Sequence, residues 1–91
     1  MPTTFKDDEP GFLRWRDTHP RGFIVNHERD PKPSYLKLHR ATCSTLQGVL
    51  PGRGDNWTTA YAKTCSEDLS ELRVWAGRLG GELDPCRMCA P

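Results

Sequence analysis

"LDPCRMCAP", residues 83–91, ends this 91-residue sequence, and its reading decides the fold. Cys86 and Cys89 are separated by two residues in a stretch punctuated by Pro85 and Pro91. A tight turn there points both thiolates at one ion. Zinc takes four nitrogen or sulfur ligands in a tetrahedron, so two cysteines are half of a site. "HRATC", residues 39–43, supplies the other half: His39 and Cys43, separated by three residues, close an expected strand. A strand leaving into one turn aims both side chains the same way. The set His39, Cys43, Cys86 and Cys89 is then a closed site for one structural Zn2+, with no position left for water or substrate. Cys65 is a rival to His39 as fourth ligand; otherwise it is a small core residue ahead of a helix. Bound zinc would contribute on the order of 10 kcal/mol to folding.

Working back from the knuckle, the next signal is a helix. Leu69, Leu72, Trp75, Ala76 and Leu79 recur at helical spacing and form one apolar stripe. Thr64 with Glu67 has capping-box spacing, Ser66 is the alternative cap, and Gly80 and Gly81 supply the stop. Further back, "WTTAYAKT" (57–64), "YLKLH" (35–39) and "GFIVN" (22–26) read as strands. Alternation in the second puts Leu36 and Leu38 on one face, and Tyr35, Lys37 and His39 on the other. "HERDPKPS" (27–34) is a loop between two antiparallel strands, since Pro31 and Pro33 cannot serve a central ladder. "VLPGRGDN" (49–56) is a flexible loop, and its Arg53-Gly54-Asp55 is a turn. "GFLRWRDTHPRG" (11–22) is a short helical turn or a strap, with Phe12, Trp15 and Trp75 as core aromatics. Residues 1–10 read as a flexible tail, leaving residues 11–91 as a single zinc-binding domain. The expected fold is α+β: a short antiparallel sheet, one C-terminal helix and a Cys-x2-Cys knuckle.

Composition fits a stapled small domain. Apolar residues make up 35% of the chain, eight glycines and eight prolines imply many turns, and mean hydropathy is −0.72. A core of this size benefits from a metal. Three Trp, three Phe and two Tyr argue against a disordered chain. No apolar h-region opens the sequence, so the four cysteines read as metal ligands in a reducing, cytoplasmic setting rather than as disulfides. No apolar run reaches membrane-spanning length.

The ligand order resembles that of the Ada-like metal-binding domains, the zinc modules of DNA-alkylation repair proteins. The likeness covers about residues 35–91 and rests on "LHRATC" (38–43), "AYAKTCSEDLSELRVWAGRLGG" (60–81) and "DPCRMCAP" (84–91). It implies zinc, a small mixed sheet with a helix, and a link to DNA. In that family the first cysteine of a Cys-x3-Cys pair takes a methyl group from a DNA phosphotriester. His39 occupies the matching position, and an imidazole has no thiolate to offer. The resemblance therefore carries over the metal site and not the alkyl transfer.

Net charge is only +1, yet it is uneven: residues 31–66 hold Lys32, Lys37, Arg40, Arg53 and Lys63 against Asp55 alone. Lys37, Arg40, Arg53 and Arg87 are candidate phosphate contacts, with Trp57 to stack on a base or to pack in the core. Such contacts release counterions and make binding salt-dependent; an ordinary solvated basic face is the alternative. His19 and His27 have no partners at metal-like spacing and read as surface residues. No acid/base pair, nucleophilic triad or phosphate-cradling loop is recognisable, so no enzyme and no small-molecule substrate is expected. The expected function is a zinc-stabilised nucleic-acid-binding module, with DNA as partner. The alternative is a zinc-stapled protein–protein interaction module.

Overall fold

The computed structural model describes residues 2–46 and 57–91. Its centre is a five-stranded sheet ordered β1-β4-β2-β3-β5, from β1 (Thr3–Phe5), β2 (Phe23–Glu28), β3 (Leu36–Arg40), β4 (Tyr61–Ser66) and β5 (Asp84–Pro85). All pairings are antiparallel except β3 with β5. Two helices, α1 (Glu9–Thr18) and α2 (Leu69–Arg78), complete the frame.

Side-chain alternation along β2 assigns one helix to each face. Val25 packs with Leu36, Leu38, Leu72 and Ala76, which is the α2 side. Its neighbour Ile24 packs with Phe5, Phe12, Ala41, Leu46, Trp57 and Cys65, which is the α1 side. Phe12, Ile24, Leu36 and Leu72 are fully buried, and each such side chain stabilises the fold by roughly 2 kcal/mol.

The α2 stripe holds: Leu72 and Ala76 are buried, and Leu69, Trp75 and Leu79 pack against them. Its cap differs. Thr64 and Ser66 both belong to β4, and Asp68 is the N-cap, its carboxylate accepting from the Ser70 N–H at 2.9 Å. Ser66 instead accepts from the Asp68 N–H and donates to Glu71. The helix ends as expected. Gly80 sits at φ +78°, and the Gly81 N–H returns to the Ala76 carbonyl at 3.0 Å.

Several expectations need correction. A single C-terminal helix becomes two helices, because residues 9–18 make a full helix rather than a strap. Asp8 caps it through the Gly11 N–H at 3.0 Å, Pro10 suits its first turn, and Pro20 stops it from running on. The sheet is also mixed, since β5 joins β3 in parallel. Residues 1–10 read as a flexible tail by composition, but Thr3–Phe5 pairs with β4 and Phe5 enters the core. Buried Thr58 anchors residues 7–9. Its carbonyl accepts from the Asp7 N–H at 2.9 Å, its hydroxyl oxygen accepts from the Asp8 N–H at 2.9 Å, and Glu9 accepts from its N–H and hydroxyl. Arg29 forks onto the Asp7 carboxylate at 2.7 and 2.5 Å and holds that carboxyl below its usual range. The strand expected over 57–64 starts later, at Tyr61, and β2 runs on to Glu28. The loop at 49–56, with Arg53, lies outside the described residues.

Candidate metal centre

β3 and the chain end build the site together. His39 is the fourth residue of β3 and lies on the α1 face, opposite Ile24. The chain turns at once beyond Arg40, with the Cys43 N–H donating to the Arg40 carbonyl at 3.0 Å, which brings Cys43 back towards His39. From the other side, β5 runs along Lys37 and Leu38, and the Cys86 N–H donates to the Leu38 carbonyl at 2.8 Å. That bond sets Cys86 beside His39. The chain then closes on itself, the Ala90 N–H donating to the Cys86 carbonyl at 3.0 Å, so Cys89 faces the same point. The α2 helix supplies the return path that brings residues 83–91 to the free edge of β3.

One ligand atom from each of His39, Cys43, Cys86 and Cys89 lies within 4.8 Å of all the others. The Cys43 and Cys86 sulfurs are 3.9 Å apart. A tetrahedron with sulfur arms of about 2.3 Å has corners about 3.8 Å apart, so the spacing suits one ion. His39 is 8% exposed, and its Nδ1 is buried without a hydrogen-bond partner among the described residues. A buried ring nitrogen left without a partner is costly unless something occupies it. Two sulfurs already receive backbone donors: Arg40 N–H to Cys89 Sγ at 3.3 Å and Met88 N–H to Cys86 Sγ at 3.4 Å. Amides aimed at sulfur favour the thiolate that a metal needs. Three soft sulfurs and an imidazole suit a borderline-soft cation and exclude magnesium or calcium sites, which are built from oxygens.

Electrostatics follow the same geometry. Burial raises the Cys86 thiol, but the Cys89 and Met88 amides outweigh it, so the pKa falls below its usual value. Burial pushes Cys89 up to about 11, with Cys43 beside it adding to the rise. Burial, with Lys37 and Lys63 nearby, lowers His39 to about 4 and keeps its imidazole neutral, the form that binds metal.

Cys65 stands apart from the cluster. It shares a face with His39, but Ile24 of β2 lies between them in the register. Two strand spacings separate the residues by about 10 Å, too far for one ion. Cys65 is buried among Phe5, Phe12 and Ile24, and burial raises its thiol pKa.

The residues expected to contact nucleic acid divide. Lys37 pairs with Asp84 at 3.1 Å, and Arg40 donates to the Cys89 and Ala90 carbonyls at 3.1 and 3.2 Å. Both therefore help to hold the chain end against β3. Arg87 is exposed on the 86–89 turn. Trp57 is buried against Phe12, its ring 6.4 Å away, and serves the core rather than an outer stacking surface. His27, expected at the surface, is fully buried; His19 stacks on Trp15 at 4.4 Å.

Sequence reasoning passed over Asn26, Tyr61 and Lys63, which line a cleft of about 670 Å³ beside the metal cluster, together with Tyr35, Lys37 and His39. The signal was present in strand alternation, which puts Tyr61, Lys63 and Cys65 on one face. Lys63 is 4% exposed; burial lowers its pKa to about 8, with Glu9 opposing the shift.

Among the described residues no helix is long and apolar enough to cross a membrane. Compared with known proteins, the chain gives no significant match to a family model, a curated protein or a solved structure.

Proposed function

We propose that this chain is a zinc-stapled recognition module for nucleic acid, with DNA as its partner. The observation that supports it best is the four-ligand cluster, His39 with three cysteines, against which basic side chains gather. Zinc suits that set because it takes nitrogen and sulfur tetrahedrally and gains nothing from redox chemistry. Four protein ligands fill the tetrahedron, so the reading assigns zinc a structural part and no catalytic step. Lys37 and Arg40 bond to residues 84–90, and Arg87 lies exposed within that stretch. An anion approaching the chain end meets cations held by the metal fold. The ligand order also supports the reading, since it resembles that of the Ada-like modules, with His39 where their methyl acceptor stands.

The test begins with metal content. Wild-type protein and Cys65→Ser should each hold one zinc per chain, and Cys86→Ser none. Labelled DNA is then titrated with zinc-loaded protein at two salt concentrations, with a chelated control. Binding that weakens as salt rises and vanishes on chelation is expected. A Cys86→Ser variant that keeps its zinc would overturn the ligand set, and no binding even at low salt would overturn the DNA reading. One observation favours the second reading, a protein-interaction module: Val74 on α2 is 56% exposed, beside Trp75. A partner that survives loss of DNA binding, and is lost on Val74→Asp, would establish that role instead.

A further inference from the structure

Among the described residues, the sheet face beside the metal centre is only half covered. Ile24 and Cys65 lie under α1 in the core shared with Phe12, whereas the residues further along the same face line the cleft. The strand register sets three polar side chains in a row across that open half: Lys37 of β3 and Lys63 of β4 each lie opposite Asn26 of β2. Lys63 Nζ donates to Asn26 Oδ1 at 2.7 Å and to the Trp57 carbonyl at 2.6 Å, and makes no ion pair among the described residues. No carboxylate lines the cleft among the described residues, although the exposed Asp84 at its edge pairs with Lys37 at 3.1 Å. At the cleft's end stand Tyr35 and Tyr61, 38% and 45% exposed, with ring centroids 5.8 Å apart. Asn26 Nδ2 donates to the Tyr35 hydroxyl at 3.0 Å and fixes that ring.

We propose that this half-face is a groove for single-stranded nucleic acid, with Tyr35 and Tyr61 stacking on bases, Lys37 at its edge meeting a backbone phosphate, and buried Lys63 adding positive charge beneath the groove. The inference rests on the nucleic-acid reading above and specifies its surface and the form of the strand. A volume of about 670 Å³ lies within the roughly 300–1,000 Å³ typical of small-ligand sites, which suits one or two nucleotides and not a duplex. In a duplex the base faces are stacked on each other; only an unpaired strand can lay them on phenol rings. The amide of Asn26, between the two cations, offers hydrogen bonds to a base edge.

The test uses the zinc-loaded full chain and fluorescence polarisation of two probes, a labelled oligothymidine and a labelled duplex of equal length. The groove predicts that the single strand binds more tightly. Tyr35→Ala and Tyr61→Ala, both at exposed positions, should each weaken single-strand binding by roughly tenfold. Lys37→Ala should weaken it further as salt is lowered. Arg73→Ala, exposed on α2 at the opposite face of the sheet, should leave it nearly unchanged. Tyrosine variants that bind the single strand like wild type, with Arg87→Ala reducing duplex binding, would overturn the groove and leave the nucleic-acid reading standing. Absence of binding to either probe by wild type would remove both.

Discussion

His27 shows how much one side chain can depend on its surroundings. Its ring is fully buried, 5.0 Å from the Trp75 ring. Nδ1 lies 2.7 Å from the Glu28 carbonyl, which only accepts, so Nδ1 carries the proton. Nε2 therefore accepts from the Thr64 hydroxyl at 2.7 Å, and Thr64 in turn accepts from Thr4 at 2.8 Å. Burial lowers the His27 pKa from 6.5. Above about 6.5 both folded and unfolded chains hold the neutral ring; below it the unfolded chain takes up a proton that the folded chain resists. Stability is thus lost as pH falls from about 6.5 through the depressed folded value. His27→Gln should cost about 1–3 kcal/mol at neutral pH, from imperfect replacement of two buried hydrogen bonds. The gap between the two proteins in urea midpoint should narrow on acidification, because glutamine has no proton to gain. A gap that stays constant with pH would show that His27 titrates alike in both states. The sequence conceals this residue, because Pro31 and Pro33 draw the loop's apparent start back onto His27, while β2 continues to Glu28.

At the scale of elements, the two helices are equal in length yet unequally legible. α2 repeats Leu69, Leu72, Ala76 and Leu79 on one stripe and ends on two glycines, so pattern and stop agree. α1 buries only Phe12 completely, with Leu13 and Trp15 partly covered, and Gly11 and Pro10 interrupt its start. Its formation depends on Phe5, Ile24 and Trp57, which arrive from distant parts of the chain. Two glycines, one inside α2 and one just past it, give a matched prediction. Neither Gly77 nor Gly80 would bring an added Cβ within 4 Å of anything, so only backbone conformation distinguishes them. Gly80→Ala forces a methyl-bearing residue to φ +78° and should destabilise by about 1 kcal/mol. Gly77→Ala lies within the helix and should stabilise by about 0.5 kcal/mol. Thermal melting of the metal-loaded variants should move in opposite directions; a shift of the same sign for both would refute the cap assignment.

Across the whole molecule the metal cluster joins the middle of the chain to its last residues. His39 and Cys43 lie midway, and Cys86 and Cys89 at the end, so the ion would close a loop of more than forty residues. A folded domain of this size has about 5–15 kcal/mol of stability, and structural zinc contributes on the order of 10 kcal/mol. Chelation should therefore abolish the cooperative melting transition, with the Cys86 and Arg40 amides among the first to lose protection from hydrogen exchange. An unchanged melting curve would mean that the two apolar clusters suffice without metal. The ligand set was legible because spacing alone brings Cys86 to Cys89 and His39 to Cys43. The cleft was not, because it arises only when three strands from different parts of the chain align Lys37, Asn26 and Lys63.

The rims of the sheet are both very short. One is the three-residue β1; the other is the two-residue β5, whose Pro85 has no N–H to offer. Without β5, the outermost strand would be β3, five residues long and carrying Leu36 and Leu38, with a row of bare amides and carbonyls facing outwards. Such a rim invites strands from neighbouring molecules. The closing turn at Cys86–Cys89 thus guards the edge of β3, and a chain in which that turn came loose would offer β3 to the next copy it meets.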